Sequence, residues 1–297
     1  MSLTEAYAQG HNDRSTLRKP DWLRVPRRSS PEQSEVEGLL KELGLNTVCK
    51  EANCPNYSDC FSRKTATFMI MGTDCTRNCR FCNVKTSKPQ GLDADEPLNV
   101  AQAVQRLGLR YVVITAVTRD DLPDGGASHF AATIRAVRRK SPQAAIEVLV
   151  PDFKGNKEAI LAVVQAGPDV ISHNIETVPA LYSRVRSQAN YRRSLGLLAE
   201  VKRLDSSIKT KSGIMLGLGE VRKQVLEVFD DLMEASCEIL TVGQYLSPSL
   251  DHYPVQEFIE PEIFDNYRKI AYEKGFGFVA SAPLVRSSYQ AEEALHR

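Results

Sequence analysis

The chain has 297 residues, 42% of them hydrophobic, and a formal net charge of +1 at pH 7. This composition supports a sizeable core, and the near-neutral charge gives no field that would favour nucleic acid or an anionic membrane as a partner. No stretch reaches the ~18 apolar residues of a membrane span, and the first residues contain no signal-type apolar run. We therefore expect a cytoplasmic globular protein, in which clustered cysteines are more often metal ligands than disulfides.

The amino-terminal segment is polar and basic and is expected to form a surface arm with solvated charges. Its basic side chains flank Trp22 and are Lys19, Arg24, Arg27 and Arg28. The sequence PEQSEVEGLLKEL at 31–43 predicts a short helix that ends at Gly44. Three cysteines follow in a stretch rich in Asn, Pro, Ser and Asp, which predicts a loop.

From residue 66 onward, apolar β-branched runs alternate with helical patterns. The predicted strands are 66–72, 111–117, 145–151, 169–175, 208–217 and 238–245, with a seventh run at 276–282. The predicted helices between them are 99–109, 129–140, 156–167, 191–204 and 221–236. Alternation of this kind indicates βαβ units and a parallel sheet. Six full units are fewer than the eight of a closed barrel, so we expect an open, partial (β/α)6 barrel of the TIM type. A doubly wound sheet is the alternative, but no GxGxxG follows the first strand.

Six of the seven cysteines fall into two triplets, and each triplet is one thiolate short of four ligands. Cys49, Cys54 and Cys60 form C-x4-C-x5-C, whereas Cys75, Cys79 and Cys82 form C-x3-C-x2-C. The second triplet follows the first predicted strand, at the end where parallel α/β folds bind ligands. A loop with this spacing can hold three corners of a [4Fe–4S] cluster and leave the fourth iron open. For the first triplet, a structural zinc with a distant fourth ligand remains an alternative.

The second triplet, with Phe81 before its last cysteine, resembles the radical S-adenosylmethionine (SAM) superfamily. The two triplets together are similar to those of lipoyl synthases, and further matching segments span nearly the whole chain. These segments are RKPDWLRVP (18–26), TRDDLPDGG (118–126), HNIETV (173–178), TKSGIMLGLGE (210–220), GQYLSPS (243–249) and VRSSY (285–289). The resemblance implies a radical SAM barrel at 63–250, an amino-terminal extension at 1–62 with the auxiliary cysteines, and a carboxyl-terminal extension at 251–297.

The resemblance also implies an activity, which is insertion of two sulfur atoms at C6 and C8 of a protein-bound octanoyl-lysine. It implies two [4Fe–4S] clusters and SAM, with the auxiliary cluster as the source of sulfur. Cys75, Cys79 and Cys82 would hold the SAM cluster, and Cys49, Cys54, Cys60 and Ser288 the auxiliary one. The expected partners are octanoylated carriers (glycine cleavage H protein and E2 lipoyl domains), ferredoxin or flavodoxin as electron donor, and an iron–sulfur carrier. The chain is expected to act as a monomer, without nucleic acid or membrane.

Polar residues near the predicted strand ends are candidate SAM contacts. A carboxylate suits ribose hydroxyls and the planar guanidinium suits a carboxylate, so Glu176 and Arg186 rank first. The full set of SAM contacts is Phe81, Thr115, Asn174, Glu176, Arg186 and Lys211, and Arg286 joins Ser288 as a catalytic candidate. Two other functions remain open: another radical SAM enzyme that inserts sulfur or a methylthio group, and a non-catalytic two-cluster electron carrier.

Overall fold

A computed structural model of the chain describes residues 18–25, 30–289 and 291–295. Arg27, Arg28 and the last residue of the arm motif, Pro26, lie outside the described residues. The strands are β1 (Asn46–Thr47), β2 (Thr67–Ile70), β3 (Asp74–Cys75), β4 (Lys85–Thr86), β5 (Tyr111–Ala116), β6 (Ala145–Leu149), β7 (Val170–Ser172), β8 (Lys209–Leu216), β9 (Ile239–Gln244) and β10 (Phe278–Ser281). The α-helices are α1 (Pro31–Glu42), α2 (Val48–Glu51), α3 (Tyr57–Ser62), α4 (Glu96–Leu107), α5 (Ala127–Lys140), α6 (Lys157–Val164), α7 (Tyr182–Val185), α8 (Tyr191–Leu204), α9 (Arg222–Glu234) and α10 (Pro261–Lys274).

The main sheet has the strand order β1-β2-β5-β6-β7-β8-β9-β10. Every pair from β2 to β10 is parallel, and β1 is antiparallel to β2. The parallel strands follow one another in chain order, whereas a doubly wound sheet reverses its order at a switch point. Within the described residues the sheet stays open between β1 and β10. The predicted partial barrel is therefore confirmed.

The two faces of this sheet have different neighbours. The outer face carries apolar side chains such as Val112, Ile114 and Leu240, which belong to one large core together with helix residues such as Phe130 and Phe229. Burial of these side chains is the main source of stability, at roughly 25 cal/mol per Å² of apolar surface. The helices therefore cover one face and leave the opposite, inner face for other contacts.

The carboxyl-terminal segment packs against the inner face. A short 3-10 helix, Ala291–Leu295, follows the last turn of the chain. Ala291 packs with Tyr111 and Val113, near the start of β5. Ala294 packs with Val170, Ile239 and Phe278, which begin β7, β9 and β10. The end of the chain thus fills the inner face at the amino-terminal ends of the strands.

All seven predicted strands are present, and α1 and the five other predicted helices lie where the periodicity placed them. The prediction of a plain loop for the first cysteine triplet is wrong, because α2 and α3 form within it. Helix α10 was not predicted. Strand β10 extends the barrel sheet from within the segment assigned to the carboxyl-terminal extension, and the division into three segments stays a prediction. No helix in the described part of the chain is both long and apolar enough to cross a membrane.

Candidate active site

The second cysteine triplet begins just beyond the carboxyl end of β2. Cys75 ends β3, and its Sγ accepts hydrogen bonds from the backbone N–H groups of Arg77 at 3.4 Å and Thr118 at 3.3 Å. The backbone N–H and the hydroxyl of Thr76 both donate to the Thr118 carbonyl, at 3.0 and 2.9 Å. Because Thr118 follows β5, the loop is fastened at the carboxyl ends of two adjacent strands. This edge is where parallel α/β folds bind ligands.

A network of buried ion pairs also holds the loop of the second triplet in place. Arg77 donates to both carboxylate oxygens of Asp120, at 2.7 and 2.9 Å, and to Asp152 at 2.7 Å. Arg193 donates to the other oxygen of Asp152 at 2.8 Å. Burial alone would raise the pKa of Asp152, but the hydrogen bonds and charge of Arg77 outweigh burial and hold this pKa well below its usual range. The loop therefore rests on a charged and satisfied framework.

The sequence analysis did not identify this network. Asp120 is 43 residues and Asp152 75 residues from Arg77 along the chain. No local periodicity connects positions so far apart, and each carboxylate alone resembles an ordinary loop residue. The signal that could have found them is their place after the predicted strands at 111–117 and 145–151, since the ends of adjacent parallel strands meet at one edge.

The other end of the loop is held by segments from later in the chain. The Arg80 N–H donates to the Val185 carbonyl at 2.9 Å, and the Arg80 carbonyl accepts from the Tyr253 N–H at 2.8 Å. The Cys82 carbonyl accepts from His252 Nε2 at 3.1 Å. Burial raises the pKa of the Cys82 thiol to about 12. A cluster that binds here therefore has to displace protons from its ligands.

Polar atoms next to this loop lack protein partners. Asn174 Oδ1 and Arg186 Nε are buried, and neither has a hydrogen-bond partner among the residues that the structure describes. Glu176 adopts a left-handed φ of 67°, a strain of order 1–3 kcal/mol that is typical of functional sites. Burial raises the pKa of Glu176, with Arg186 and Asn174 opposing that shift, and the carboxylate interacts electrostatically with Cys79 and Cys82. The structure thus brings these predicted SAM contacts together at the second triplet.

Other predicted SAM contacts have protein partners of their own. The Thr115 hydroxyl donates to the Leu149 carbonyl at 3.1 Å, and Phe81 is half-buried against the main core. Lys211 was expected to face the rim, but its ammonium lies 2.9 Å from each carboxylate oxygen of Glu147 and is buried. A buried, paired lysine has no charge left for a ligand. Its prediction as a SAM contact has no support in this geometry.

The first cysteine triplet lies at the edge of the sheet, beside the start of β2. Cys49 is on α2, Cys60 is on α3, and Cys54 lies between the two helices. The Cys49 thiol is buried, and the adjacent Thr67 partly opposes the effect of burial on its pKa. Burial, together with the charge of nearby thiols, raises the pKa of Cys49 to about 11 and that of Cys60 to about 12. The electrostatic interactions among the three thiols indicate that they share one small region.

The carboxyl-terminal motif reaches this first triplet. The guanidinium of Arg63, directly after α3, lies over the Tyr289 ring, 5.6 Å from its centroid. Burial lowers the pKa of Arg286, and the proximity of Cys54 opposes that shift. Ser288 is half-buried and lies between Arg286 and Tyr289 in a turn that the Tyr289 N–H closes by donating to the Arg286 carbonyl at 3.0 Å. The turn that contains Ser288 therefore lies near the first triplet, and the role of Ser288 as its fourth ligand stays a prediction.

The donor arrangement does not match a site for one ion. Across residues 18–25, 30–289 and 291–295, no group of three or more His, Cys, Asp or Glu side chains could hold a single metal ion. A structural zinc needs four donors that converge on one point. In a [4Fe–4S] cluster each thiolate instead binds a different iron.

Comparisons with known proteins identify the family of the chain. A family model described as the Radical SAM superfamily matches residues 69–232. The chain is 60% identical over 280 residues to a lipoyl synthase of Caldanaerobacter subterraneus subsp. tengcongensis, covering 94% of this chain and 98% of that relative. It is 51% identical over 287 residues to the lipoyl synthase of Rubrobacter xylanophilus, covering 97% and 89%. The chain belongs to the lipoyl synthase family.

Solved structures show the same barrel at much lower identity. Streptococcus suis SuiB bound to S-adenosylmethionine has a TM-score of 0.57 and 12% identity, covering 84% of this chain and 60% of SuiB. Methylornithine synthase has a TM-score of 0.53 and 14% identity, covering 87% of this chain and 84% of that one. These likenesses show the fold alone. Membership of the lipoyl synthase family makes the chain a sulfurtransferase and implies SAM and a [4Fe–4S] cluster.

The residues present fit the groups that the lipoyl synthase family implies. Each loop offers three thiolates, the soft ligands that iron–sulfur clusters prefer. Beside the second loop, the buried Asn174 Oδ1 and Arg186 Nε leave an acceptor and a donor for the polar groups of SAM. Unpaired buried polar atoms are costly in a protein interior, so their presence together indicates a site for a polar ligand.

Proposed function

We propose that this chain inserts sulfur at C6 and C8 of an octanoyl group that is amide-linked to a lysine of a lipoyl carrier protein, giving the dihydrolipoyl group. The observation that carries the proposal is the pair of separate cysteine loops, each with its own supplementary donor groups. The second loop adjoins Asn174, Glu176 and Arg186. The first adjoins the turn that contains Ser288. Membership of the lipoyl synthase family supports the same activity.

In this proposal the two loops have different roles. Cys75, Cys79 and Cys82 hold the cluster that binds SAM, and a second cluster on the first triplet has Ser288 as its fourth ligand. When bound, SAM and the two clusters supply the hydrogen-abstracting radical and the sulfur atoms. The C–H bonds at C6 and C8 are unactivated, so the protein needs no acid–base pair for their cleavage. Its contribution is to hold the reacting groups in line and to exclude water.

The chain's own polar groups orient SAM in this proposal. Arg186 already donates through Nη1 to the Asn174 carbonyl at 2.9 Å, which fixes the guanidinium and leaves Nε to bind a carboxylate. Glu176, held in its strained backbone conformation, would accept hydrogen bonds from ribose hydroxyls. Arg286 interacts electrostatically with Cys54, and there it would offset the negative charge of a cluster ligated by thiolates.

The substrate would lie along the inner face of the sheet. The carboxyl-terminal segment fills this face at the amino-terminal ends of the strands, so the substrate would lie toward their carboxyl ends. The preferred carrier, the ferredoxin or flavodoxin donor, the iron–sulfur carrier, the monomeric state and the cytoplasmic location remain predictions.

The proposal is tested with anaerobically reconstituted protein, SAM, a reductant and an octanoyl-lysine peptide. We expect about eight irons per chain, as two [4Fe–4S] clusters require, and a two-sulfur mass gain on the peptide. Cys79→Ala should abolish SAM cleavage, whereas Cys54→Ala and Ser288→Ala should retain it and lose sulfur insertion. Cys237→Ala is the matched control, because that buried core thiol donates to backbone carbonyls and belongs to neither triplet.

Different results would discard different parts of the proposal. Sulfur insertion by Cys54→Ala at the rate of the unmodified chain would remove the role of the first triplet, and full activity in Ser288→Ala would remove the serine ligand. A gain of a methylthio group would favour the other class of radical SAM enzyme. Two stable clusters that SAM does not perturb would indicate an electron carrier.

A further inference from the structure

Gly243 is the next-to-last residue of β9 and lies on the inner face of the sheet. Its backbone φ is outside the left-handed region, so the strand conformation itself does not require glycine. A Cβ at this position would lie 2.2 Å from the Val285 carbonyl oxygen and 3.4 Å from Arg286 Nη1. The first distance is shorter than any real contact of a Cβ atom. Glycine in a strand interior often marks the close approach of another backbone, and here that backbone is the start of the VRSSY motif.

Two neighbouring backbone hydrogen bonds fix the same crossing. The Gln244 N–H donates to the Pro283 carbonyl at 3.1 Å, and the Ala282 N–H donates to the Val242 carbonyl at 3.2 Å. The chain therefore leaves β10 along β9 and turns over Gly243 toward the first cysteine triplet. This segment, residues 282–285, ends three positions before Ser288 and is called the crossing segment below.

Asn56 holds the crossing segment from the opposite side. Its Nδ2 donates to the Leu284 carbonyl at 2.8 Å, across 228 residues of sequence. Asn56 lies between Cys54 and Cys60 and is buried. It precedes α3, yet its side chain accepts no capping hydrogen bond from that helix. The amide of Asn56 thus connects the loop of the first triplet directly to the segment that precedes Ser288.

We propose that Gly243 and Asn56 are positioning residues that set Ser288 at the first cysteine triplet. Because Gly243 has no side chain, the crossing segment can pass close to β9 on the inner face. The hydrogen bond from Asn56 then fixes the distance between this segment and the loop that contains Cys54 and Cys60. The proposal rests on the proposed function, in which Ser288 is a cluster ligand. A serine ligand with only one polar atom depends on its backbone position, because a one-carbon side chain has little reach.

The first test is Gly243→Ala, with Gly196→Ala as the control. Gly196 is an exposed residue of α8, and a Cβ there meets no atom within 4 Å. In Gly243→Ala we expect the auxiliary cluster to bind iron about 10- to 100-fold more weakly, as for other losses of outer contacts at metal sites. Iron analysis and Mössbauer spectra should show loss at that cluster only, while SAM cleavage stays at the rate of Gly196→Ala.

The second test removes the hydrogen bond without changing side-chain size. Asn56→Asp replaces the donor that faces the Leu284 carbonyl with an acceptor, and Asn266→Asp adds the same charge on an exposed position of α10. We expect Asn56→Asp to alter the Mössbauer signature of the auxiliary cluster and slow sulfur insertion, with SAM cleavage unchanged. Asn266→Asp should match the unmodified chain in all three measurements.

Ser288→Ala, measured in parallel, separates failure of the inference from failure of the proposed function. If Ser288→Ala keeps the auxiliary cluster and full activity, Ser288 is not a cluster ligand. The proposed function is then wrong on this point, and Gly243 and Asn56 have no ligand to position. If Ser288→Ala loses sulfur insertion while both Gly243→Ala and Asn56→Asp keep a normal auxiliary cluster, the inference is overturned and the proposed function stands. Loss of both clusters and of thermal stability in both variants would also overturn it, because the residues would then be general packing.

Discussion

The two cysteine triplets are held in place by different kinds of contact. The second triplet is local: its cysteines span 75–82, and the loop is fixed by backbone N–H groups and by the buried Arg77 network. The first triplet spans 49–60 on two short helices, and the donor proposed to complete it, Ser288, comes from the carboxyl-terminal segment, which Asn56 holds through Leu284. The first site can therefore open by moving one segment, whereas the second cannot open without breaking its charged framework.

This difference matches the proposed chemistry. A SAM-binding cluster works repeatedly and has to keep its geometry, so a rigid support is an advantage. An auxiliary cluster that gives up its sulfur has to be dismantled and rebuilt in each cycle. A site closed by a terminal segment, which is held by contacts such as the Asn56 hydrogen bond and the packing of Ala291 and Ala294, suits that requirement.

The largest expected effect comes from breaking the rigid loop. In Arg77→Ala the carboxylate of Asp152, which is 0% exposed, would lose one of its two arginine partners. Removal of one partner of a buried ion pair costs about 3–5 kcal/mol. We expect the iron content to fall to about half, from the SAM cluster, and SAM cleavage to be lost. Iron analysis and cleavage assays measure both outcomes.

Two variants sharpen the test at Arg77. Arg77→Lys retains the charge but cannot donate to both carboxylates with a planar fork, so it should recover only part of the SAM cleavage. Arg203→Ala removes an exposed arginine that pairs with Glu200 at 2.8 Å, and it should leave both clusters unchanged. If Arg77→Ala cleaved SAM normally, the Arg77 network would not be needed to hold the second triplet, and the contrast between a rigid and an openable site would be wrong.

The barrel could be predicted from the sequence, but the contacts that hold its two cysteine loops could not. Buried parallel strands are rich in β-branched residues whatever their partners, so the runs at 111–117 and 238–245 identified strands β5 and β9. Helix α10 also carried a signal, because Pro261 can begin a helix and Phe264, Tyr267 and Ala271 are spaced for one buried face. The predictions simply did not extend to that stretch.

The contacts across long sequence distances are the part that could not be derived from a single chain. Asn56 and Leu284 are 228 residues apart, and nothing in C-P-N predicts a partner beyond its own loop. Asn and Pro are common both in loops and at helix starts, which is why the first triplet was expected to lack helices. Ser288 was identified by motif resemblance alone, since its residue type by itself does not indicate a metal ligand.

A smaller effect is expected from weakening the packing of the carboxyl-terminal segment that follows Ser288. Ala291 is buried against Tyr111 and Val113, so Ala291→Asp would place a carboxylate in an apolar site. Burial of an unpaired charge is costly, and this terminal segment can leave its site instead of unfolding the barrel. We expect faster loss of iron from the auxiliary cluster and unchanged SAM cleavage. The control is Glu293→Ala, an exposed position on the same 3-10 helix; equal iron loss in both variants would contradict the anchoring role of Ala291.

The smallest expected effect concerns a single hydrogen bond at the rigid loop. His252 Nε2 lies 3.1 Å from the Cys82 carbonyl, and the Ser249 hydroxyl lies 2.8 Å from Nδ1. Because a carbonyl only accepts, Nε2 carries the hydrogen and the serine donates to Nδ1. One such bond contributes about 0.5–1.5 kcal/mol, so His252→Ala should retain both clusters and shift only the spectrum of the reduced SAM cluster. His252→Gln, whose amide can still donate, should restore part of that shift. Loss of the SAM cluster in His252→Ala would show that the loop depends on this single bond more than on the Arg77 network.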